Sequence, residues 1–291
     1  MIFKKFFFTA FTLLIIMVQT LLAQEIALTS LREVEAEFNY PTDICGDDNG
    51  NIFILDAMNE RVVFLRANGE VTDIKPQRET IYKAVGISMI DGDLWIADTP
   101  RSRLLKLNLN GRVSEIVRLD HQTEPVDLIG VGKNMVMTDR RNHTITVLDE
   151  NQKEKYYWGR RGEGSGEFIN PGFLALAPEN RLIISDILNR RVVSLSQSGR
   201  YPQIIAKPGV QRGQIFRPKG LDLDSQNRIW VVDGYTGSLQ AFSISGKFLG
   251  IATTAGKPIH LSAPMGVYID KQDQIWVVES YSNKVSVWKA K

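Results

Sequence analysis

The sequence predicts an all-β chain: a six-bladed β-propeller of four-stranded antiparallel blades, closed by an N-terminal strand that completes the last blade. Three observations carry this expectation. An apolar strand ending in an acid occurs six times, closing on Asp56, Asp98, Asp139, Asp186, Asp233 and Glu279, with 41 to 47 residues from one acid to the next. A period of that length marks a repeat architecture. Short apolar runs alternate with turn signals such as Asn49-Gly50, Asn68-Gly69, Asp91-Gly92, Asn110-Gly111 and Ser245-Gly246, without helical periodicity. Such spacing indicates four-stranded units repeated radially. Finally, the sixth unit stops after its third strand, while an unassigned segment, residues 29–38, precedes the first unit.

Unit one shows how each element follows from its residues. Pro41 to Cys45 is a first strand, and Asp47-Asp48-Asn49-Gly50 is hairpin chemistry, because Asn and Gly tolerate the positive φ of tight turns. Residues 51–56 form the second strand, 57–60 a loop, 61–65 the third strand and 70–74 the fourth. Third strands recur at 104–107, 144–148, 192–195, 239–242 and 285–288. A strand from about Arg32 to Phe38 is expected to pair with Val285–Trp288, which would hide two sheet edges.

Residues 1–23 read as a secretory signal peptide: Lys4 and Lys5, an apolar run from Phe6 to Val18, and Ala23 at the end. An uncleaved anchor is the alternative. Residues 24–291 then form a single domain, expected to be secreted or periplasmic and monomeric. The chain carries 35 basic and 33 acidic residues, and removing Lys4 and Lys5 leaves 33 of each. A neutral domain lacks the global basic footprint of a nucleic-acid binder, and nothing indicates a membrane role beyond export. Cys45 is the only cysteine, which excludes an intramolecular disulfide and a cysteine zinc site. Within an apolar strand it reads as a small buried hydrophobe.

Gly162 to Pro171 and Gly213 to Pro218 resemble the linker that opens an NHL repeat, and Asp56 to Val62 and Asp186 to Val192 resemble its Asp…Asn…Arg segment. The resemblance spans the domain and implies a six-bladed propeller of a kind often used for interactions. Some secreted NHL-like proteins are peptidyl-hydroxyglycine amidating lyases. For these the resemblance implies zinc-binding histidines beside the prolines that open first strands. The corresponding positions here are Thr42, Val85, Val126, Gly172, Lys219 and Met265. They are expected to line the mouth of the central channel, with Asp43 and Asp127 one step along.

The six strand-end acids form a repeat column, expected to cap loops or to pair with Arg61, Arg103, Arg191 and Lys284. Trp95, Trp230 and Trp276 share one strand position and are expected in the core, whereas Trp158 stands outside that column. Gly162-Glu163-Gly164-Ser165-Gly166 lacks the ending of a phosphate loop and reads as a flexible linker. No Gly-x-Ser-x-Gly elbow is present. His121, His143 and His260 are expected on one face and are the candidate metal ligands, but His121 and His260 stand on opposite sides of the ring. No metal, cofactor or catalytic residue is assigned. The expected function is non-catalytic binding or scaffolding of a protein, peptide or small ligand through the loop face. The candidate contacts are Arg140, Arg141, His143, Tyr235 and Tyr281, with Lys219 at the channel. A metal-dependent lyase resembling the amidating lyases is the alternative.

Overall fold

A computed structural model describes residues 25–196, 198–200 and 202–291; the expected signal peptide, residues 1–23, lies outside the described residues. The chain opens with β1 (Glu25–Glu33). Unit one contains β2 (Pro41–Gly46), β3 (Ile52–Asp56), β4 (Arg61–Leu65) and β5 (Val71–Ile74). Unit two contains β6 (Gly86–Ile90), β7 (Asp93–Asp98), β8 (Arg103–Leu107) and β9 (Val113–Arg118). Unit three contains β10 (Pro125–Val131), β11 (Asn134–Asp139), β12 (Thr144–Leu148) and β13 (Glu154–Trp158). Unit four contains β14 (Pro171–Ala177), β15 (Arg181–Asp186), β16 (Arg191–Leu195), β17 (Gln203–Pro208) and the short β18 (Gln214–Ile215). Unit five contains β19 (Pro218–Leu223), β20 (Arg228–Asp233), β21 (Leu239–Ser243), β22 (Phe248–Thr254) and the short β23 (Lys257–Pro258). Unit six contains β24 (Pro264–Ile269), β25 (Gln274–Glu279) and β26 (Lys284–Ala290).

The fold is all-β and propeller-like. Units one, two, three and four are separate sheets of four antiparallel strands in sequence order, unit four carrying the extra β18 parallel to β17. Units five and six share a nine-stranded sheet, joined through β1. The first strands touch in a closed cycle, β2 to β6, β10, β14, β19, β24 and back to β2. Second strands are buried throughout their apolar stretch, Ile52–Asp56 and Ile229–Asp233 among them, because a sheet lies against each of their faces. Apolar clusters fill each seam between successive units. Phe53, Leu55, Ile87 and Ile96 join units one and two, and Ile44, Ile54, Trp276 and Val278 join units six and one. Trp95, Trp230 and Trp276 are buried, as the shared position predicted.

Most first strands carry a bulge just after their opening proline, as between Pro125 and Leu128 or Pro218 and Leu221. A bulge bends the strand and re-aims its side chains, here where the strands line the channel.

The closing strand differs from its expected bounds. β1 covers Glu25–Glu33, with Leu28 opposite Ala290 and Glu33 opposite Ser286. Its first residues run parallel to β22, Glu25 opposite Ile251. Only the Val34 amide continues the ladder, donating to Val285. Val34 and Phe38 are pulled into the seam between units six and one, so residues 34–38 act as a linker rather than a strand.

Candidate functional site

A recurring corner organises the loop face. In unit four, Asp186 is fully buried and its Oδ2 accepts from Asn189 Nδ2 (2.7 Å) and Arg191 Nε (2.8 Å). The rest of the Arg191 guanidinium donates to the carbonyls of Glu163, Gly164 and Glu167. The glycine-rich stretch expected to be flexible is therefore pinned, and the Glu167 carboxylate accepts the Gly164 amide within it. In unit one, Arg61 joins Asp56 to the Glu37 carbonyl. In unit two, Arg103 joins Asp98 to Glu79 and to the Thr80 carbonyl. Lys284 lies 3.8 Å from Glu279 in unit six. These acids are structural partners, as the repeat column predicted.

The predicted contacts divide between two regions. Arg140 and Arg141 both pair with Glu124, at 2.7 and 3.7 Å. His143 lies in the same loop in the left-handed region (φ 60°), and its Nδ1 accepts the Asn170 amide at 3.1 Å. On units four and five, the Tyr235 ring packs at 4.4 Å on Phe216, over which Arg190 also sits. Tyr235 is 61% exposed, and Tyr281 on unit six is 81% exposed.

Lys219 opens β19 and packs across Gly234, beside Tyr235. Burial, reinforced by the positive charges of Arg217 and Arg140, lowers its ammonium to about 8. Its side chain makes no hydrogen bond or ion pair among the described residues. Lys219, Arg217 and Arg140 thus form a cluster of positive charge beside the Phe216–Tyr235 pair. Arg217, Phe216 and Arg190 were missed in the sequence. Phe216 and Arg217 precede Pro218 in a segment that reads only as linker, and Arg190 reads only as part of a repeat loop.

Below the mouth, the first strands enclose a space of about 220 Å³ lined by Asp43, Asp127, Asp222, Ser88, Met89 and Tyr268, among others. Each of the three carboxylates accepts a main-chain amide from the next unit: Asp43 from Ile87 (2.9 Å), Asp127 from Leu174 (2.7 Å) and Asp222 from Ile269 (2.7 Å). They staple unit one to two, three to four and five to six. Burial raises Asp127 and Asp222 to about 7. Burial, with the neighbouring Asp127, raises Asp43 well above the carboxylate range. Thr42, Val126, Gly172, Lys219 and Met265 do not line this space, because they stand at the bulge, and neither does Val85, which precedes β6. Asp222 was missed because it lies four residues after its proline, whereas Asp43 and Asp127 lie two after theirs. Cys45, the expected buried hydrophobe, is buried beside the same channel.

The histidines do not converge. The His121 side chain is 85% exposed and lies 3.4 Å from Asp120, His143 serves Asn170, and His260 packs near Gly237. Among the described residues, no three His, Cys, Asp or Glu side chains are arranged to hold a metal ion. The residues present therefore do not fit the zinc ring that the amidating-lyase resemblance implies.

No protein-family profile matches the chain. No curated protein matches its sequence. Solved structures do resemble it. Virginiamycin B lyase from Staphylococcus aureus superposes with a TM-score of 0.64 at 16% identity, covering 91% of this chain and 99% of that one. A gluconolactonase from Xanthomonas campestris gives 0.69 at 14% identity, covering 91% and 89%. A protein of unknown function from Bacteroides thetaiotaomicron gives 0.65 at 13%, covering 92% and 75%. At these identities the likeness is one of fold, and the fold it shows is a β-propeller.

Proposed function

We propose that this chain is an exported, monomeric, six-bladed propeller of NHL-like type that binds an anionic group of a protein, peptide or small ligand at its channel mouth without catalysis. The nine-stranded sheet is read as two blades sharing β1. The observation that carries the binding reading is Lys219: an amine without a salt-bridge partner among the described residues, held beside Arg217 and Arg140. Bringing a carboxylate or phosphate there would offset the repulsion of Lys219 by Arg217 and by Arg140, which is itself paired with Glu124, and form charge-assisted hydrogen bonds. Phe216 and Tyr235 would supply the apolar flank of the contact, with Arg141, His143 and Tyr281 reaching a larger partner.

Calorimetric titration with citrate and with inorganic phosphate tests this directly. Binding is expected in the wild type, weaker by at least about tenfold in Lys219→Met, consistent with loss of a charged hydrogen bond. It should decline as pH rises through about 8, where Lys219 loses its proton. Affinity unchanged in Lys219→Met would sink this reading.

The same lysine favours a second, catalytic reading, because an amine that titrates near 8 can accept a proton at neutral pH. The structural neighbours include a lyase and a lactonase. Assays on a peptidyl-hydroxyglycine, a streptogramin B and a sugar lactone address it, with the metal content of the protein measured alongside. Turnover abolished in Lys219→Met would favour the enzyme; absence of turnover on all three leaves binding as the better account.

A further inference from the structure

The corner that Arg61, Arg103 and Arg191 fill in units one, two and four is vacant in unit three. Each of those arginines stands five residues after its acid, and unit three has Thr144 at that place. The remainder of the corner is intact. Asp139 is 2% exposed. Its Oδ1 accepts the amides of Glu124, Arg141 and Asn142, and its Oδ2 accepts Asn142 Nδ2 at 2.7 Å, as Asp186 Oδ2 accepts Asn189. The Nε–H that the other corners supply is missing, and Asp139 has no ion pair among the described residues. Arg140 and Arg141 turn to Glu124 instead.

The missing side chain leaves a space. A groove of about 670 Å³ opens between units two and three, lined by Asp139, Asn142, Thr144, Asp120, Thr123 and Tyr157, among others. The other corners show what it lacks. Their guanidinium reaches a carbonyl in the linker ahead of the first strand: Glu37 and Glu167, four residues before the opening proline, and Thr80, six before β6. In unit five, which has Ser238 at the arginine position, Gln240 Nε2 reaches the equivalent carbonyl of Gln214. In unit three that carbonyl belongs to His121, and it accepts only a 3.4 Å bond from Ser102. Asp120 stands where Glu79 binds the Arg103 guanidinium in unit two.

We propose that this groove receives an arginine side chain from a partner polypeptide, which completes the corner in trans. The guanidinium would donate to Asp139 Oδ2 and to the His121 carbonyl, with Asp120 as the outer acceptor and the exposed Tyr157 ring as a stacking face. The groove is several times larger than a guanidinium, leaving room for flanking residues. β13, the outer strand of unit three, has one free edge for their main chain. The rim itself does not favour a cation, with Arg118, Lys153 and Arg160 against Asp120 and Glu154. Selectivity therefore rests on the buried carboxylate and the planar donor geometry. This site is separate from the anion site at the channel mouth.

Calorimetry with the blocked pentapeptide acetyl-Ala-Ala-Arg-Ala-Ala-amide, its lysine and citrulline counterparts, and free arginine amide tests the proposal. The arginine peptide is expected to bind the wild type at least tenfold more tightly than either counterpart. Comparable affinity of arginine amide would identify the side chain alone as the ligand and overturn the polypeptide part. Thr144→Arg should supply the side chain in cis, raise the melting temperature and abolish peptide binding. Asp139→Asn, which keeps an oxygen for the loop amides, should also lose binding. Equal binding or no binding of the three peptides, or unchanged binding in Thr144→Arg, would overturn the proposal. Lys219→Met should leave this binding intact, so failure here is distinguishable from failure at the mouth.

Discussion

Units three and four share a loop length, a buried acid and an asparagine three residues later, yet one corner is closed and the other open. In unit four, Arg191 knits the acid, the third strand and the incoming linker into one network. In unit three, Thr144 is too short to do so, and the seam with unit two opens into a groove. The difference shows where a repeat protein can hold function: at a position that other copies use for their own stability. One substitution in one copy exposes a preorganised set of acceptors.

The largest effect should come from making the closed corner resemble the open one. Arg191→Ala leaves Asp186 buried without its cation and frees three linker carbonyls. We expect a loss of roughly 3–5 kcal/mol in urea unfolding, as for other broken buried pairs. A loss below about 1 kcal/mol would mean that the corner is decorative and the comparison empty.

A second expectation uses pH to separate the corners from the channel staples. Asp127 and Asp222 hold their protons in the folded state up to about 7, against about 4 in an unfolded chain. Their folded pKa is raised, so their contribution to stability is complete below about pH 4 and is lost as pH rises through about 7. The Asp127→Asn/Asp222→Asn double variant should flatten the decline in stability between pH 5 and 8. Arg191→Ala should keep the wild-type slope, because the staple from Asp127 to Leu174 is untouched. An unaltered slope in the double variant would show that these carboxylates are not the titrating groups.

The smallest effect should be Thr144→Ala. Its hydroxyl makes no hydrogen bond to the corner among the described residues, and we expect a change under about 1 kcal/mol. A loss matching Arg191→Ala would show that the open corner is as integral as the closed one.

Much of this was legible in the sequence because repetition makes structure self-annotating. The acids, their arginines and the three tryptophans could be assigned by column alone, and the arrangement found matches. The bounds of β1 were not legible, because Val34 and Phe38 look like strand residues while serving as packing in a seam. The channel mouth was half legible. Lys219 follows a strand-opening proline, but Arg217 and Phe216 become neighbours only through the turn that precedes it. The groove of unit three was written in the sequence as Thr144 in an arginine column. Its meaning required the volume, since a missing side chain is visible only against what surrounds it.

The strand β1 also dictates an order of events. Its partners lie at residues 251–253 and 286–290, so the contact that seals the ring joins segments separated by nearly the whole domain. Such a closure carries the longest loop in the molecule and should form late. Until the final strand has been synthesised, both seams flanking unit six remain open, with Trp276, Val278 and Val285 on one side and Ile275 and Val277 on the other. The chain is thus most vulnerable to aggregation before that closure forms.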